Sequence, residues 1–157
     1  MAYFFRAKLN KEYLCRTTKI VVVITATTAR ILYADDDSDD RFLLCESMAL
    51  NGLKADLVYV ANGQEAISYM DHAPESLPSL VILDLNMPKM NGKETLRYLK
   101  RHPQYAQIPV IILSTSENKK EMEYCTAQGA VSYFVKPRLM SGYDTIIKAC
   151  RPYVTGG

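Results

Sequence analysis

From Arg30 onward, short apolar runs alternate with longer segments in which apolar residues recur at helical spacing. The runs are four or five residues long, and most carry no charged residue, which is typical of strands buried on both faces of a parallel sheet. Five strands are predicted in this way: Ile31–Ala34, Asp56–Val60, Leu80–Leu83, Val110–Leu113 and Val131–Val135. The alternation of strands with helices predicts an α/β fold, a doubly wound parallel sheet with helices on both faces.

Helix boundaries follow from capping residues and from glycine or proline stops. Five helices are predicted: one capped by Ser38 and ended by Gly52, one with the capping pair Asn62 and Glu65 that runs to about Asp71, one between Gly92 and Pro103, one from about Asn118 to Gln128, and a last one capped by Ser141 with Asp144. In the first helix, the apolar positions are Phe42, Leu43, Cys45, Met48 and Ala49. We expect such apolar faces to lie against the sheet.

The length of 157 residues suits one domain with a full core. We predict a basic N-terminal extension at residues 1–29, a domain at 30–154 and a tail at 155–157. The net charge of +2 does not favour nucleic acid as a partner. The apolar run Ile20–Ile24 is too short to cross a bilayer, which requires ~20 residues, so no membrane association is expected.

The four cysteines, at positions 15, 45, 125 and 150, form no C-x-x-C pair. This spacing argues against a zinc site. Isolated cysteines are typical of small buried side chains in a reducing compartment. The expected location is therefore the cytoplasm.

Charged residues follow three of the predicted strands: Asp35-Asp36-Asp37 after the first, Asp84 after the third and Lys136 after the fifth. In an open parallel sheet, ligands bind at the carboxyl ends of the strands, so these side chains are expected to converge. Two carboxylates ~4 Å apart repel by about 4 kcal/mol at an effective dielectric of 20, and a cation relieves that repulsion. The acidic run alone would suit a solvated helix start, but together with Asp84 and Lys136 it indicates a site for Mg²⁺ and phosphate.

The set Asp35-Asp36, Asp84 within LVILDLNMPKMNG, Ser114 after PVIIL, and Lys136-Pro137 after YFV resembles the receiver domain of two-component response regulators. The resemblance spans about residues 30–154, and the motifs occur in the order of that family. It implies a flavodoxin-like fold with the strand order 2-1-3-4-5.

The resemblance also implies a role for each matching residue. Asp84 would be the phosphoacceptor. Mg²⁺ would be held by Asp36, by Asp84 and by the backbone carbonyl of Asn86, with Asp35 acting through a water molecule. A carboxylate that attacks a phosphoryl group needs such neutralising charge close by.

Further roles fall on the ends of the fourth and fifth strands. Ser114 and Lys136 would bind the phosphoryl group, Ser114 and Tyr133 would form the switch, and Asn86 with Ser116 would tune loss of the phosphoryl group. Taken singly, a serine after a strand is commonly a turn residue and a tyrosine in a strand commonly serves packing.

The function expected from these features is that of a stand-alone receiver, phosphorylated on Asp84 by a sensor histidine kinase or a histidine phosphotransfer protein. Output would pass by contact with a downstream protein, or through a homodimer built on the fourth helix, fifth strand and fifth helix, with no DNA-binding extension. The domain would catalyse only its own phosphorylation and dephosphorylation.

Two other functions compete with this one. A pseudo-receiver would act as a docking module without accepting phosphate, and the intact set of acids with Lys136 argues against it. A dehalogenase-type phosphatase would need a second acid two residues after the nucleophile, where this chain has Asn86. The absence of a G-x-x-x-x-G-K-[ST] motif excludes a Walker-type nucleotide site.

Overall fold

The protein is described here by a computed structural model, which covers residues 29–72 and 74–154. The elements alternate along the chain: β1 Arg30–Ala34, α1 Ser38–Leu50, β2 Asp56–Val60, α2 Gly63–His72, β3 Leu80–Leu83, α3 Gly92–Arg101, β4 Val110–Ser114, α4 Lys119–Ala127, β5 Ser132–Val135 and α5 Tyr143–Val154. Short 3-10 turns lie at Pro74–Ser76 and Met140–Gly142. The predicted α/β alternation is confirmed.

The five strands form one parallel sheet in the order β2-β1-β3-β4-β5. This is the order that the resemblance implied. The carboxyl ends of all five strands therefore lie at the same edge of the sheet, with β1 and β3 side by side at its centre. Residues directly after these two strands are brought next to each other.

Alternate residues of each central strand enter two different cores. Ile31 and Tyr33 of β1 face a cluster that includes residues of α1 and α5, whereas Leu32 and Ala34 face a cluster that includes residues of α2, α3 and α4. All residues of β3 and β4 are buried. The continuous apolar runs of the sequence reflect this burial on both faces.

Two predicted helix starts are wrong. Asp37, and not Ser38, caps α1, because its carboxylate accepts a hydrogen bond from the backbone N–H of Asp39 at 2.8 Å. Ser141 lies inside the 3-10 turn Met140–Gly142, and α5 begins only at Tyr143. Asp144 instead accepts a hydrogen bond from the side-chain amide of Asn51 at 3.0 Å, which ties α5 to the end of α1.

Other boundary predictions are close to the observed ones. The predicted pair of Asn62 and Glu65 does cap α2, since the Asn62 side chain accepts from the Glu65 N–H at 3.1 Å. β4 continues to Ser114, one residue beyond the prediction, and β5 begins at Ser132 instead of Val131. Gly52 and Gly129 follow α1 and α4 with positive φ of 63° and 95°, a conformation that glycine adopts without strain.

Three apolar residues of α1 were expected in the core and are not there. Phe42 is 61% exposed, and Cys45 and Ala49 are exposed, because the buried face of α1 consists of Leu44, Ser47 and Met48. Cys125 and Cys150 are buried as expected. Cys15, the predicted extension apart from Ala29, and the tail at 155–157 lie outside the described residues.

Helices α1 to α5 reach at most 13 residues, and none has both the length and the apolar character that a bilayer span requires.

Candidate functional site

The loops after β1 and β3 bring three carboxylates together. Asp35, Asp36 and Asp84 each offer one oxygen, and these three atoms lie within 4.8 Å of one another. Asp35 and Asp84 are buried, whereas Asp36 is exposed. The backbone N–H of Asp84 donates to the carbonyl of Ala34 at 2.9 Å. The backbone hydrogen bonding between β1 and β3 therefore continues up to the acid cluster. The predicted convergence of these acids is present in the fold.

Lys136 reaches the same cluster from the end of β5. Its ammonium nitrogen lies 2.8 Å from Oδ2 of Asp35 and 3.4 Å from Oδ2 of Asp84, and its side chain is only 5% exposed. It also contacts Oδ2 of Asp40, in the first turn of α1, at 2.7 Å. One buried cation therefore faces three carboxylates from three different elements.

The charge state of Lys136 is set by these neighbours. Burial by itself would lower the pKa of its ammonium group. Hydrogen bonds to Asp35 and Asp40, together with the negative charges of Asp35 and Asp84, outweigh burial and raise the pKa above its ordinary value. Lys136 is accordingly a permanent positive charge beside Asp84 at physiological pH.

Asp35 is fixed by further hydrogen bonds on both oxygens. The hydroxyl of Tyr33 donates to Oδ2 at 2.5 Å, and the backbone N–H of Asp37 donates to Oδ1 at 2.9 Å. Burial, then the charge of Asp35, raises the pKa of Tyr33, so that this hydroxyl stays a donor. Sequence reasoning missed Tyr33; the available signal was a polar-tipped aromatic two residues before the first acid, inside an otherwise apolar strand.

The backbone after β3 holds the Asp84 side chain in place. The N–H of Leu85 donates to Oδ1 of Asp84 at 2.6 Å, and the N–H of Asn86 also donates to this carboxylate. Gly92, at the start of α3, donates to the carbonyl of Leu85 at 3.1 Å. A Cβ on Gly92 would collide with the carbonyl oxygen of Asp84, so only glycine allows α3 to approach the loop this closely.

The pKa of Asp84 is raised. Burial is the largest cause; Lys136 and the two backbone N–H groups lower it, and Asp35 raises it further. A carboxyl group whose pKa is higher in the folded state stabilises the fold fully below its unfolded pKa, near 3.8. That contribution is lost as pH rises through the raised folded pKa. At neutral pH, the ionised Asp84 therefore lowers the stability of the metal-free protein.

Asp84→Asn is expected to raise the melting temperature at pH 7 in the presence of a chelator, because it removes a buried charge. The rise should be about 2–4 °C for each kcal/mol gained in the free energy of unfolding. The gain should shrink as pH falls toward the ordinary pKa of aspartate. Thermal unfolding at pH 7 and at pH 4 measures both effects, and the exposed Glu117→Gln is the matched control. A lower melting temperature for Asp84→Asn at pH 7 would show that Lys136 overcompensates for burial.

The predicted switch residues form a neighbouring group at the end of β4. Ser114 is fully buried, and its hydroxyl accepts from the backbone N–H of Ser116 at 3.3 Å. The hydroxyl of the half-buried Tyr133 donates to the carbonyl of Ser116 at 2.8 Å. Within residues 29–72 and 74–154, hydrogen bonds do not join these side chains to the carboxylate of Asp84. They lie beside the acid cluster but are not part of its network.

Glu121 of α4 extends this second group toward α3. Its carboxylate accepts from the hydroxyl of Ser116 on one oxygen and from the ammonium of Lys93 on the other, the latter at 2.5 Å. Next to it lies a cavity of about 420 Å³, lined by Leu85, Asn86, Met87, Asn91, Lys93 and Glu121. Asn86 lines this cavity, and Ser116 is joined to it through its hydrogen bond to Glu121.

Comparison with known proteins gives a consistent result. A family model for the response regulator receiver domain matches residues 31–148. PilH from Pseudomonas aeruginosa is 29% identical over 131 residues, which cover 82% of this chain and 99% of PilH. The response regulator Rcp1 from Synechocystis is 31% identical over 96 residues, which cover 59% of this chain and 65% of Rcp1.

Solved structures show the same likeness in three dimensions. The phosphorylated cyanobacterial phytochrome response regulator RcpA matches with a TM-score of 0.73 and 30% identity, over 82% of this chain and 94% of RcpA. The Mn²⁺-bound form of Rcp1 matches with a TM-score of 0.70 and 26% identity, over 79% of this chain and 92% of Rcp1.

Proposed function

This chain belongs to the response regulator receiver family of two-component systems, and from that premise we propose that it takes a phosphoryl group onto Asp84. The donor is a sensor histidine kinase or a histidine phosphotransfer protein. The observation that carries the proposal is the position of the Lys136 ammonium, which lies 3.4 Å from Asp84 and 2.8 Å from Asp35, two members of the acid cluster. A cation and an acid cluster around one buried carboxylate suit the binding of a metal ion and an incoming phosphoryl group.

The chemistry expected of these residues is a single displacement at phosphorus. A carboxylate oxygen of Asp84 forms the new O–P bond while the P–N bond of the phosphohistidine breaks, and the imidazole leaves with the electron pair and takes up a proton. Lys136 neutralises charge on the phosphoryl oxygens, and the N–H groups of Leu85 and Asn86 hold the attacking carboxylate. Catalysis of this kind rests on positioning and electrostatic stabilisation.

Mg²⁺ is the proposed cofactor. Asp36 and Asp84 supply hard oxygen donors, and the backbone carbonyl of Asn86 is the proposed third direct ligand; such donors suit a hydrated magnesium ion. The exposed Asp36 leaves the cluster open to solvent on one side. When bound, the ion would offset the repulsion among the three acids and the phosphoryl group. Asp35, whose oxygens are already occupied by Tyr33, Lys136 and Asp37, suits a role through a water molecule.

Asp36→Ala is expected to remove most of the stabilisation that Mg²⁺ gives to the parent protein. An ion at 100 times its dissociation constant stabilises the folded state by ~2.7 kcal/mol. Melting temperature as a function of Mg²⁺ concentration measures the effect. Asp39→Ala is the control, since Asp39 is an exposed acid three residues further along the chain, in the first turn of α1 and outside the cluster. Equal metal affinity in Asp36→Ala and the parent would refute a ligand role for Asp36.

The direct test of function is incubation with acetyl phosphate and Mg²⁺, followed by measurement of the intact mass. The proposal predicts one added phosphoryl group per chain, dependent on the metal and released by base. An unchanged mass would contradict it and would favour the alternative, a pseudo-receiver that docks without phosphorylation.

Phosphorylation is proposed to act on the group at the end of β4. Ser114 and Lys136 would bind the phosphoryl oxygens, and movement of the Ser114 loop would release or retain Tyr133, now hydrogen-bonded to Ser116. Asn86, which lines the cavity beside Glu121, and Ser116, which hydrogen-bonds to Glu121, are proposed to set how fast water removes the phosphoryl group. Charge-assisted hydrogen bonds of ~1.5–3 kcal/mol each would supply much of the ~5.5 kcal/mol that a full switch requires.

The output surface proposed is the face of α4, β5 and α5. Exposed apolar side chains lie on or near these elements: Tyr124, Val131 and Leu139. This face would bind a downstream protein or a second copy of the chain. We place the protein in the cytoplasm, with its catalysis limited to its own phosphorylation and dephosphorylation; the free thiols of Cys45, Cys125 and Cys150 agree with a reducing compartment.

A further inference from the structure

Lys136 is held most closely by a residue that the phosphorylation site does not require. Its ammonium lies 2.7 Å from Asp40, against 3.4 Å from the phosphoacceptor Asp84. The ammonium donates a hydrogen bond to Asp40 and forms ion pairs with Asp35 and Asp84, of which the one with Asp84 is the longer. Asp40 comes from the first turn of α1, which otherwise contributes nothing to the cluster.

A second observation concerns the buried hydroxyl of Tyr143. Tyr143, the first residue of α5, is completely buried, and its hydroxyl has no hydrogen-bond partner. Burial, and after it the charge of Asp40, raises the pKa of Tyr143 to about 12. Tyr143 packs in the same core cluster as Leu44, which lies about one helical turn after Asp40 in α1. The hydroxyl is therefore a protonated donor where α5 packs on α1, and leaving it unsatisfied costs free energy in this state.

We propose that Asp40 is a positioning residue: in the unphosphorylated protein, its carboxylate keeps the Lys136 ammonium away from Asp84. When Lys136 moves to the phosphoryl group, the hydroxyl of Tyr143 donates a hydrogen bond to Asp40 in its place. This inference rests on the function proposed above. A phosphoryl group carries about −1.5 to −2 charges in place of the single negative charge of the Asp84 carboxylate, and its oxygens can compete with the Asp40 carboxylate for the ammonium. Asp40 then loses its cation, and the unsatisfied hydroxyl of Tyr143 gains an acceptor.

Two consequences follow for the equilibrium between the states. The contact between Asp40 and Lys136 favours the unphosphorylated state, because it must break when Lys136 turns to the phosphoryl oxygens. The unsatisfied hydroxyl of Tyr143 acts in the opposite direction, since its cost is relieved only in the phosphorylated state. Removing Asp40's charge and removing Tyr143's hydroxyl should therefore shift the binding of a phosphoryl group in opposite directions.

The test is the affinity for beryllofluoride, a phosphoryl mimic, measured by calorimetry at fixed Mg²⁺ concentration. Asp40→Asn should bind it about tenfold more tightly than the parent, the equivalent of ~1.4 kcal/mol. Asp39→Asn is the control for loss of charge alone, because it removes an exposed carboxylate from the same turn and should change affinity less than about twofold. Affinity in Asp40→Asn equal to that of the parent, or an equal gain in both variants, would overturn the proposal.

Tyr143→Phe gives an independent readout. It should weaken beryllofluoride binding by about threefold or more, while leaving the melting temperature of the resting protein unchanged or higher, because it removes an unsatisfied buried hydroxyl. If Tyr143 had only a structural role, the substitution would instead lower the melting temperature and leave the affinity for beryllofluoride unchanged, and that result would overturn the proposal. In the Asp40→Asn background, the effect of Tyr143→Phe should largely disappear, since the two residues act on each other.

Failure of this inference and failure of the proposed function look different in the same experiment. If the parent protein does not bind beryllofluoride with Mg²⁺, the function itself fails, and the role of Asp40 fails with it. If the parent binds and the variants do not differ, the function stands and only the role of Asp40 and Tyr143 is overturned.

Discussion

Replacing Lys136 with methionine is expected to lower the free energy of unfolding by about 3–5 kcal/mol at neutral pH without Mg²⁺. The side chain is 5% exposed and faces Asp35, Asp40 and Asp84, so its removal leaves several carboxylates without their cation. Removing one partner of a buried charge pair costs this much because the remaining charge is neither solvated nor paired. Urea unfolding of the parent and the variant measures the difference.

The pH dependence of the Lys136 effect has a definite sign. Because the pKa of Lys136 is raised in the folded protein, its contribution is fully present below the ordinary value of 10.5 and is lost as pH rises through the folded pKa. The difference in the free energy of unfolding between the parent and Lys136→Met should therefore persist to about pH 10 and decrease above it. Mg²⁺ should restore part of the loss, since it supplies positive charge to the same acids.

The matched control is Lys148→Met, which removes an exposed lysine of α5 and should change stability by no more than about 0.5 kcal/mol. A loss below about 1 kcal/mol in Lys136→Met would mean that the acids do not depend on this cation.

Asp84→Asn is expected to abolish phosphorylation by acetyl phosphate, because the amide is not a nucleophile and no neighbouring acid is placed to replace it. Both oxygens of Asp35 are occupied by Tyr33, Lys136 and the backbone of Asp37. Asp36 is exposed and lies farther from the buried cation. Intact mass after incubation with acetyl phosphate and Mg²⁺ should show no phosphorylated species.

Glu65→Gln is a suitable control for this substitution. Glu65 is a partly exposed acid near the start of α2, outside the acid cluster, where it binds the backbone N–H of Ala61. The variant should be phosphorylated to the same extent as the parent. Persistent phosphorylation of Asp84→Asn would show that another residue is the phosphoacceptor and would contradict the proposed site.

Much of the fold could be read from the sequence because its central strands are buried on both faces. Runs such as Leu80–Leu83 then contain apolar residues only, and their ends are marked by the first charge. Since carboxyl ends of parallel strands share one edge, the charges after β1, β3 and β5 could be placed together without a structure. The strand order itself came from the family resemblance.

Helix starts were harder to predict because neighbouring polar residues can serve the same role. Asp37 and Ser38 are both good caps, and only the backbone conformation decides between them. Phe42 was misplaced for a related reason: α1 has apolar residues around much of its circumference, and the buried face is chosen by packing against the sheet and α5.

The contacts of Lys136 with the acids could be anticipated only in part. Asp35 and Asp84 were expected because they follow strands, but Asp40 lies in a helix 96 residues from Lys136 in the sequence. Tyr33 and Tyr143 resemble ordinary core aromatics in the sequence. Their proposed roles depend on the direction of a single hydroxyl group, and the hydrophobic pattern of a sequence does not predict that direction.

The most direct test of the central claim is to locate the modified residue after phosphorylation with acetyl phosphate. Borohydride reduces an acyl phosphate of aspartate to homoserine, which peptide mass spectrometry can place in the chain. The account predicts homoserine at position 84 alone, formed only when Mg²⁺ is present. Homoserine at Asp35, Asp36 or any other acid, or equal modification without a divalent ion, would contradict it.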